Sequence, residues 1–113
     1  MNFTKIRHAS FSKAGLVYLP RKWMDHAGLK PGMKVEVSYR KPEIHIRKAP
    51  EQTVENVLHI SYERSVLIPK EVRMLAKIRS GQEYALYIDD NRQKFIIQPI
   101  AQRKNLEQQS YAR

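Results

Sequence analysis

Hydrophobic and polar positions along this chain change their period several times, and they do so in the same order twice. Leu16 to Leu19 is a short apolar run closed by Pro20, after which Trp23 and Ala27 stand four apart, the spacing of one helix face. Pro20 fits a first helical position, where a missing N–H removes no bond, and Gly28 fits a left-handed helix end. Lys30-Pro31-Gly32-Met33 then predicts a type II turn. Val35, Val37 and Tyr39 alternate with Lys34, Glu36 and Ser38, the pattern of a strand buried on one face. Ile44 and Ile46 keep that period, which makes 40–43 a hairpin connection. Ahead of all this, Lys5 to Phe11 reads as extended and 12–15 as a turn.

Val66-Leu67-Ile68-Pro69 restarts the sequence of events. Val72, Leu75 and Ala76 predict the inward face of a second short helix, Gly81 a second turn, and Tyr84, Leu86 and Ile88 a second alternating strand. Phe95 and Ile97 close the unit after a turn at Asp89-Asp90-Asn91, residues that tolerate positive φ. Pro20 to Pro69 and Gly32 to Gly81 span the same 49 residues. Between 17–39 and 66–88 only four aligned positions are identical, yet turns and apolar positions agree almost throughout. A packing constraint shared by two copies preserves pattern in this way without preserving identity. The chain therefore divides into a first β-α-β-β repeat over 1–49, a linker at 50–53, a second repeat over 54–99, and a mobile basic tail, 100–113, that has lost the period.

Composition adds a sign to this outline. The 113 residues carry 21 Lys and Arg against 11 Asp and Glu, a net charge of +10. Residues 1–49 hold 11 basic and 3 acidic side chains, while 50–113 hold 10 and 8. A small basic domain reads first as a polyanion binder, because Lys and Arg displace the counterions condensed on nucleic acid. Charge kept only for solubility is the plainer alternative, but it does not call for one sign to dominate one half. No run of about 18 apolar residues suggests a membrane span, and the basic start of the chain has no apolar stretch after it to make a secretory signal. The chain has no cysteine, which excludes disulfides, a thiol nucleophile and Cys-ligated zinc. A cytoplasmic, nucleoid-associated protein is the expectation.

Little in the residues suggests catalysis. There is no nucleophile motif, no glycine-rich phosphate loop and no converging acid pair, so the expectation is no enzyme and no cofactor. His8, His26, His45 and His59 show no ligand spacing, and no metal site is expected. Trp23 reads as core, and Tyr62, in a turn beside Arg64, is the aromatic best placed to meet a nucleic acid.

The motifs Leu19-Pro20…Leu29-Lys30-Pro31-Gly32-Met33-Lys34-Val35 and Ile68-Pro69-Lys70-Glu71-Val72…Ile78-Arg79-Ser80-Gly81 resemble the AbrB/SpoVT/MazE superfamily of swapped-hairpin β-barrels. The likeness covers most of 11–46 and 60–97. It implies a mainly β fold with short helices: a swapped-hairpin β-barrel formed by two tandem β-α-β-β repeats, supplied by one chain as in MraZ-like members. It also implies sequence-specific binding of double-stranded DNA by a transcriptional regulator. In AbrB-like members arginines at the first-loop exit and early in the helix touch DNA. Here the loop-exit positions hold Leu16 and Ser65, and the helix positions hold Met24-Asp25 and Arg73-Met74, so only Arg73 matches.

The expected DNA contacts are accordingly chosen from the basic residues themselves: Lys5 and Arg7 on the first strand, Lys13 in its turn, and Arg21 and Lys22 at the helix start, with the more basic first repeat dominating. Arg64, Lys70 and Arg73 are their pseudosymmetric counterparts, and helix N-termini offer free N–H groups to phosphate. Phosphate contacts would set register and an arginine in the major groove would read guanine. Double-stranded DNA is the expected partner, with a homodimer as a further state. Two other functions share these features. One is an antitoxin that binds a toxin protein and its own operator, against which stands the short tail, with Arg103, Lys104 and Arg113 to one Glu107. The other is a general coat on nucleic acid.

Overall fold

The computed structural model describes residues 3–52, 56–89, 91 and 93–100. The tail beyond residue 100, Asp90 and part of the expected linker lie outside the described residues. Among the described residues eight strands and two short helices follow in the order β1 (Phe3–Ser10), β2 (Leu16–Tyr18), α1 (Arg21–His26), β3 (Lys34–Arg40), β4 (Glu43–Lys48), β5 (Val57–His59), β6 (Ser65–Leu67), α2 (Lys70–Leu75), β7 (Glu83–Asp89) and β8 (Lys94–Pro99). The architecture is mainly β, as the alternating periods predict.

Local chemistry recurs with the sequence pattern. Pro20 and Pro69 are the N-caps of α1 and α2. The turn after β1 is tied by Ser12, whose Oγ accepts from the Leu16 N–H at 2.9 Å; the turn after β5 is tied by Ser61, whose Oγ accepts from the Ser65 N–H at 3.0 Å. Backbone at positive φ also recurs 49 residues apart: Gly15 with Arg64, Gly28 with Lys77, and Gly32 with Gly81. Arg64 and Lys77 thus hold a left-handed conformation that glycine holds in the first half, at a cost of roughly 1–2 kcal/mol each.

The strands form two antiparallel sheets. One has six strands in the order β1-β7-β8-β4-β3-β5, and β2 pairs with β6 in a separate two-stranded ribbon. Exchanging each strand for its counterpart in the other half reads the six-stranded order backwards. β1 lies on β7, with Ala9 opposite Tyr84, and β5 lies on β3, with Leu58 opposite Val35. Each half's first strand is therefore completed by the other half's hairpin. At the centre β4 meets β8 with His45 opposite Ile96.

A closed barrel, the expectation from resemblance, is not what these strands make. β1 and β5 are open edges of the larger sheet, while the ribbon strands bond to each other. The chain leaves the larger sheet at the tight turns over 12–15 and 61–64, and the three-residue strands β2 and β6 that follow pair with each other instead of joining its edges. The core fills the space between the sheet and the ribbon with its helices. Val17 and Val66 from the ribbon, Leu19, Ile68, Met24 and Val72, and the inward rows Val35-Val37, Ile44-Ile46, Leu86-Ile88 and Phe95-Ile97 are all buried. Two helix positions differ from expectation. Met24, rather than Trp23, is the fully buried side chain of α1, and Leu75 is 56% exposed rather than inward. Each helix is only six residues long, so the chain that leaves the ribbon, more than the helical period, decides which residue reaches the core.

Candidate nucleic-acid interface

The ribbon fixes where the basic residues go. Leu16 of β2 pairs with Leu67 of β6, and Tyr18 with Ser65, so α1 and α2 leave the ribbon at opposite ends. Backbone bonds hold each end closed across the two halves: the Leu19 N–H donates to the Arg64 carbonyl at 2.8 Å, and the Ile68 N–H to the Gly15 carbonyl at 3.0 Å. Arg21, Lys22 and Arg64 consequently belong to one end, and Lys13, Lys70 and Arg73 to the other.

Lys5 and Arg7 part company. The register of β1 against β7 shifts between them, with Lys5 opposite Tyr87 and Arg7 opposite Leu86. Pairing partners share a face of the sheet, so Lys5 lies on the outer face with Tyr87, whereas Arg7 lies on the ribbon side. There its Nη1 comes to 3.5 Å of the Tyr18 carbonyl. Of the eight expected contacts, Lys5 is thus turned away from the ribbon ends.

The end built around α2 is a basic groove. Lys70, Arg73, Met74, Lys77, Ile78 and Arg79 line a concavity of about 510 Å³. It runs into a smaller cleft of about 30 Å³ where Lys13, Ser12 and Gly15 of the first half meet Arg73, Arg79 and Ser80. Among the described residues no carboxylate lines either hollow. Lys70 and Arg73 stand three apart on one face of α2, and Lys77 follows just past its end, at positive φ. The Lys13 turn comes to the same place because β2 pairs with β6 and the Gly15 carbonyl accepts from the Ile68 N–H. The Arg73 side chain is laid across Gly15: a Cβ built there would stand 2.8 Å from its Cδ. Its Nε is buried without a hydrogen-bond partner among the described residues. Gln82, itself buried, shapes the turn before β7 by accepting from the Arg79 N–H at 2.9 Å and donating to the Ile100 carbonyl at 3.2 Å.

The α1 end has the same backbone and different chemistry. Met24, Asp25 and Gly28 stand where Arg73, Met74 and Lys77 stand in α2. Met24 is taken into the core, Asp25 is acidic, and Gly28 has no side chain. The Lys22 ammonium sits 5.3 Å from the centre of the Trp23 ring. The basic groove is thus built mainly from second-half residues, although 1–49 carries the larger excess of positive charge. Much of the first half's excess sits on the hairpin, at Lys34, Arg40, Lys41, Arg47 and Lys48. Lys77 and Arg79, absent from the expected contacts, complete the groove. The three- and four-residue steps from Lys70 to Arg73 to Lys77 were visible in sequence, but Arg79, beyond the helix, and the partner turn carrying Lys13 followed no such spacing. Neither helix has the length to act as a phosphate seat by its dipole, so the side chains set the potential. Tyr62 is 92% exposed in the turn next to Arg64.

No family model, curated protein or solved structure matches this chain.

Proposed function

We propose that this chain is a sequence-specific, double-stranded DNA-binding regulator of the swapped-hairpin class, with both units of the class supplied by one polypeptide and working at the nucleoid in the cytoplasm. Support for the class comes from the exchange of first strands between the halves, which places β1 on β7 and β5 on β3. Support for the ligand comes above all from the carboxylate-free groove of Lys70, Arg73, Lys77 and Arg79 joined by Lys13. Cations that line a hollow together hold a positive potential that a polyphosphate backbone neutralises with release of its counterions. The α1 end, with Arg21, Lys22 and Arg64, extends the same surface along the ribbon and takes a neighbouring stretch of backbone. In this reading the groove, Arg73 included, sets the protein's position on the backbone, and Arg64 at the other end of the ribbon would reach a base edge.

Titration of duplex DNA at several salt concentrations tests the proposal. Affinity is expected to fall steeply with salt, and each phosphate contact removed by Lys70→Gln, Lys77→Gln or Arg79→Gln lowers the logarithmic salt slope by about 0.9. Salt-independent binding, or none, would reject it. Selection of bound fragments from random duplexes separates a regulator, which enriches one sequence, from a coat, which enriches none.

A further inference from the structure

The outer face of the six-stranded sheet, opposite the core, carries two hollows related by the exchange of the halves. Ser38, Arg40, His45, Arg47 and Lys94 line one of about 370 Å³. Phe3, Glu43, Tyr87, Ile96 and Gln98 line the other, of about 190 Å³. The correspondence runs residue by residue. Ser38 and Tyr87 are 49 positions apart; His45 and Ile96, Arg47 and Gln98, and Glu43 and Lys94 are 51 apart, since the second hairpin is two residues longer. His45 faces Ile96 where β4 meets β8, so the two hollows flank the centre of the sheet. The same fold has thus made two equivalent concavities, and one has become cationic while the other is apolar and neutral or acidic.

We infer that the cationic hollow is a binding site for a small phosphorylated ligand, its recognised group a phosphate dianion. Arg47 and Lys94 are directly opposite each other on neighbouring strands, at the middle of a cross-strand row that runs Glu36, Arg47, Lys94, Asp89, so an anion seated over the row would meet both cations. The carboxylates nearby hold the cations from the side and do not line the hollow. Glu36 Oε1 accepts from Arg47 Nε at 2.8 Å, and among the described residues no other acceptor meets Arg47, so both terminal amino groups remain for a ligand. His45 is fixed at both ring nitrogens, with Glu43 Oε1 3.0 Å from Nε2 and Lys94 Nζ 2.9 Å from Nδ1. An ammonium has only donors, so Nδ1 accepts and the Nε2–H donates to Glu43. That neutral tautomer anchors the Lys94 ammonium at the hollow's edge. Asp89 stands opposite Lys94 on β7, on the side away from Arg47. Arg40 and the Ser38 hydroxyl complete a set of donors matched to phosphate oxygens, Arg40 and Arg47 offering the forked geometry that suits them. The volume accommodates a small molecule. The site lies on the face away from the ribbon and is independent of the proposal for DNA.

Amide NMR of the full chain, titrated separately with inorganic phosphate, a sugar phosphomonoester and sodium chloride at matched ionic strength, tests this. The expected result is saturable shifts at Ser38, Arg40, His45, Arg47 and Lys94 with a phosphate species, and none that saturate at Tyr87 or Gln98. Tighter binding of the phosphomonoester identifies an esterified ligand, and tighter binding of inorganic phosphate identifies the free anion; either upholds the site. Arg47→Gln installs the residue of the equivalent position and is expected to weaken binding about tenfold with its melting temperature kept, and Arg40→Gln is expected to act alike. The inference fails if chloride reproduces the shifts, if they never saturate, if both variants bind as the parent does, or if only duplex DNA moves these amides. DNA affinity of Arg47→Gln, measured alongside, is expected to stay within the effect of one lost surface charge, so failure of the DNA proposal and failure of this one read out separately.

Discussion

Replacing Gly15 by alanine tests the link between the turn after β1 and the basic groove. Gly15 has φ +87°, and an added Cβ would come within 2.8 Å of Arg73 Cδ and 3.1 Å of its Nε and Nη1. Two costs therefore add. Backbone in the left-handed region costs an alanine about 1–2 kcal/mol. The second cost is displacement of Arg73, because the neighbouring atom is the middle of its side chain rather than a free tip. Loss of that packing and re-seating of a half-buried arginine is set at about 1 kcal/mol, the scale of an overpacked site that relaxes through one side chain. Gly28→Ala supplies the reference, since its φ is +74° and a Cβ there meets nothing within 4 Å. Urea unfolding followed by circular dichroism is expected to give a loss of about 1–2 kcal/mol for Gly28→Ala and about 2–3 kcal/mol for Gly15→Ala. Gly15→Ala is also expected to weaken binding of duplex DNA, with Gly28→Ala leaving it unchanged. Equal losses of stability in both variants, with equal DNA affinity, would refute the claim that Gly15 is small in order to seat Arg73.

Ser12→Ala and Ser61→Ala each remove the hydroxyl that accepts from the N–H four residues on, and each is expected to cost about 1–2 kcal/mol in the same unfolding assay. Ile68→Ala empties a fully buried position and should cost about 2–5 kcal/mol, whereas Leu75→Ala at an exposed position should change stability little. Burial raises the pKa of Tyr84 above 10.0, with Arg7 pulling the other way. The folded chain therefore keeps the proton where the unfolded chain loses it. The stability this gives is fully present below pH 10 and is lost as pH rises through the window between 10.0 and the raised value. Unfolding midpoints measured across that window are expected to fall less steeply for Tyr84→Phe than for the parent chain; parallel curves would contradict the assignment.

Much of the local structure was legible because its causes are local. Alternation at Val35-Val37 and Leu86-Ile88, proline at each helix start, and glycine, asparagine or serine at each turn act within a few residues, so period and turn chemistry fixed the element order and the repeat. Helix faces were read less well: with six residues per helix, the direction of the chain leaving the ribbon brought Met24 inward and left Leu75 outside. The candidate site divides in the same way. Cations at helical spacing along α2 could be seen in the chain, whereas the bulge that separates Lys5 from Arg7 and the turn that carries Lys13 to Arg73 depend on pairing between halves far apart in sequence. Net charge per half belonged to the sequence alone; which cations gathered without carboxylates was decided by tertiary structure. The exchange of strands sets residues some 50 positions apart side by side, and no local period records which of two equivalent hollows their charges will fill.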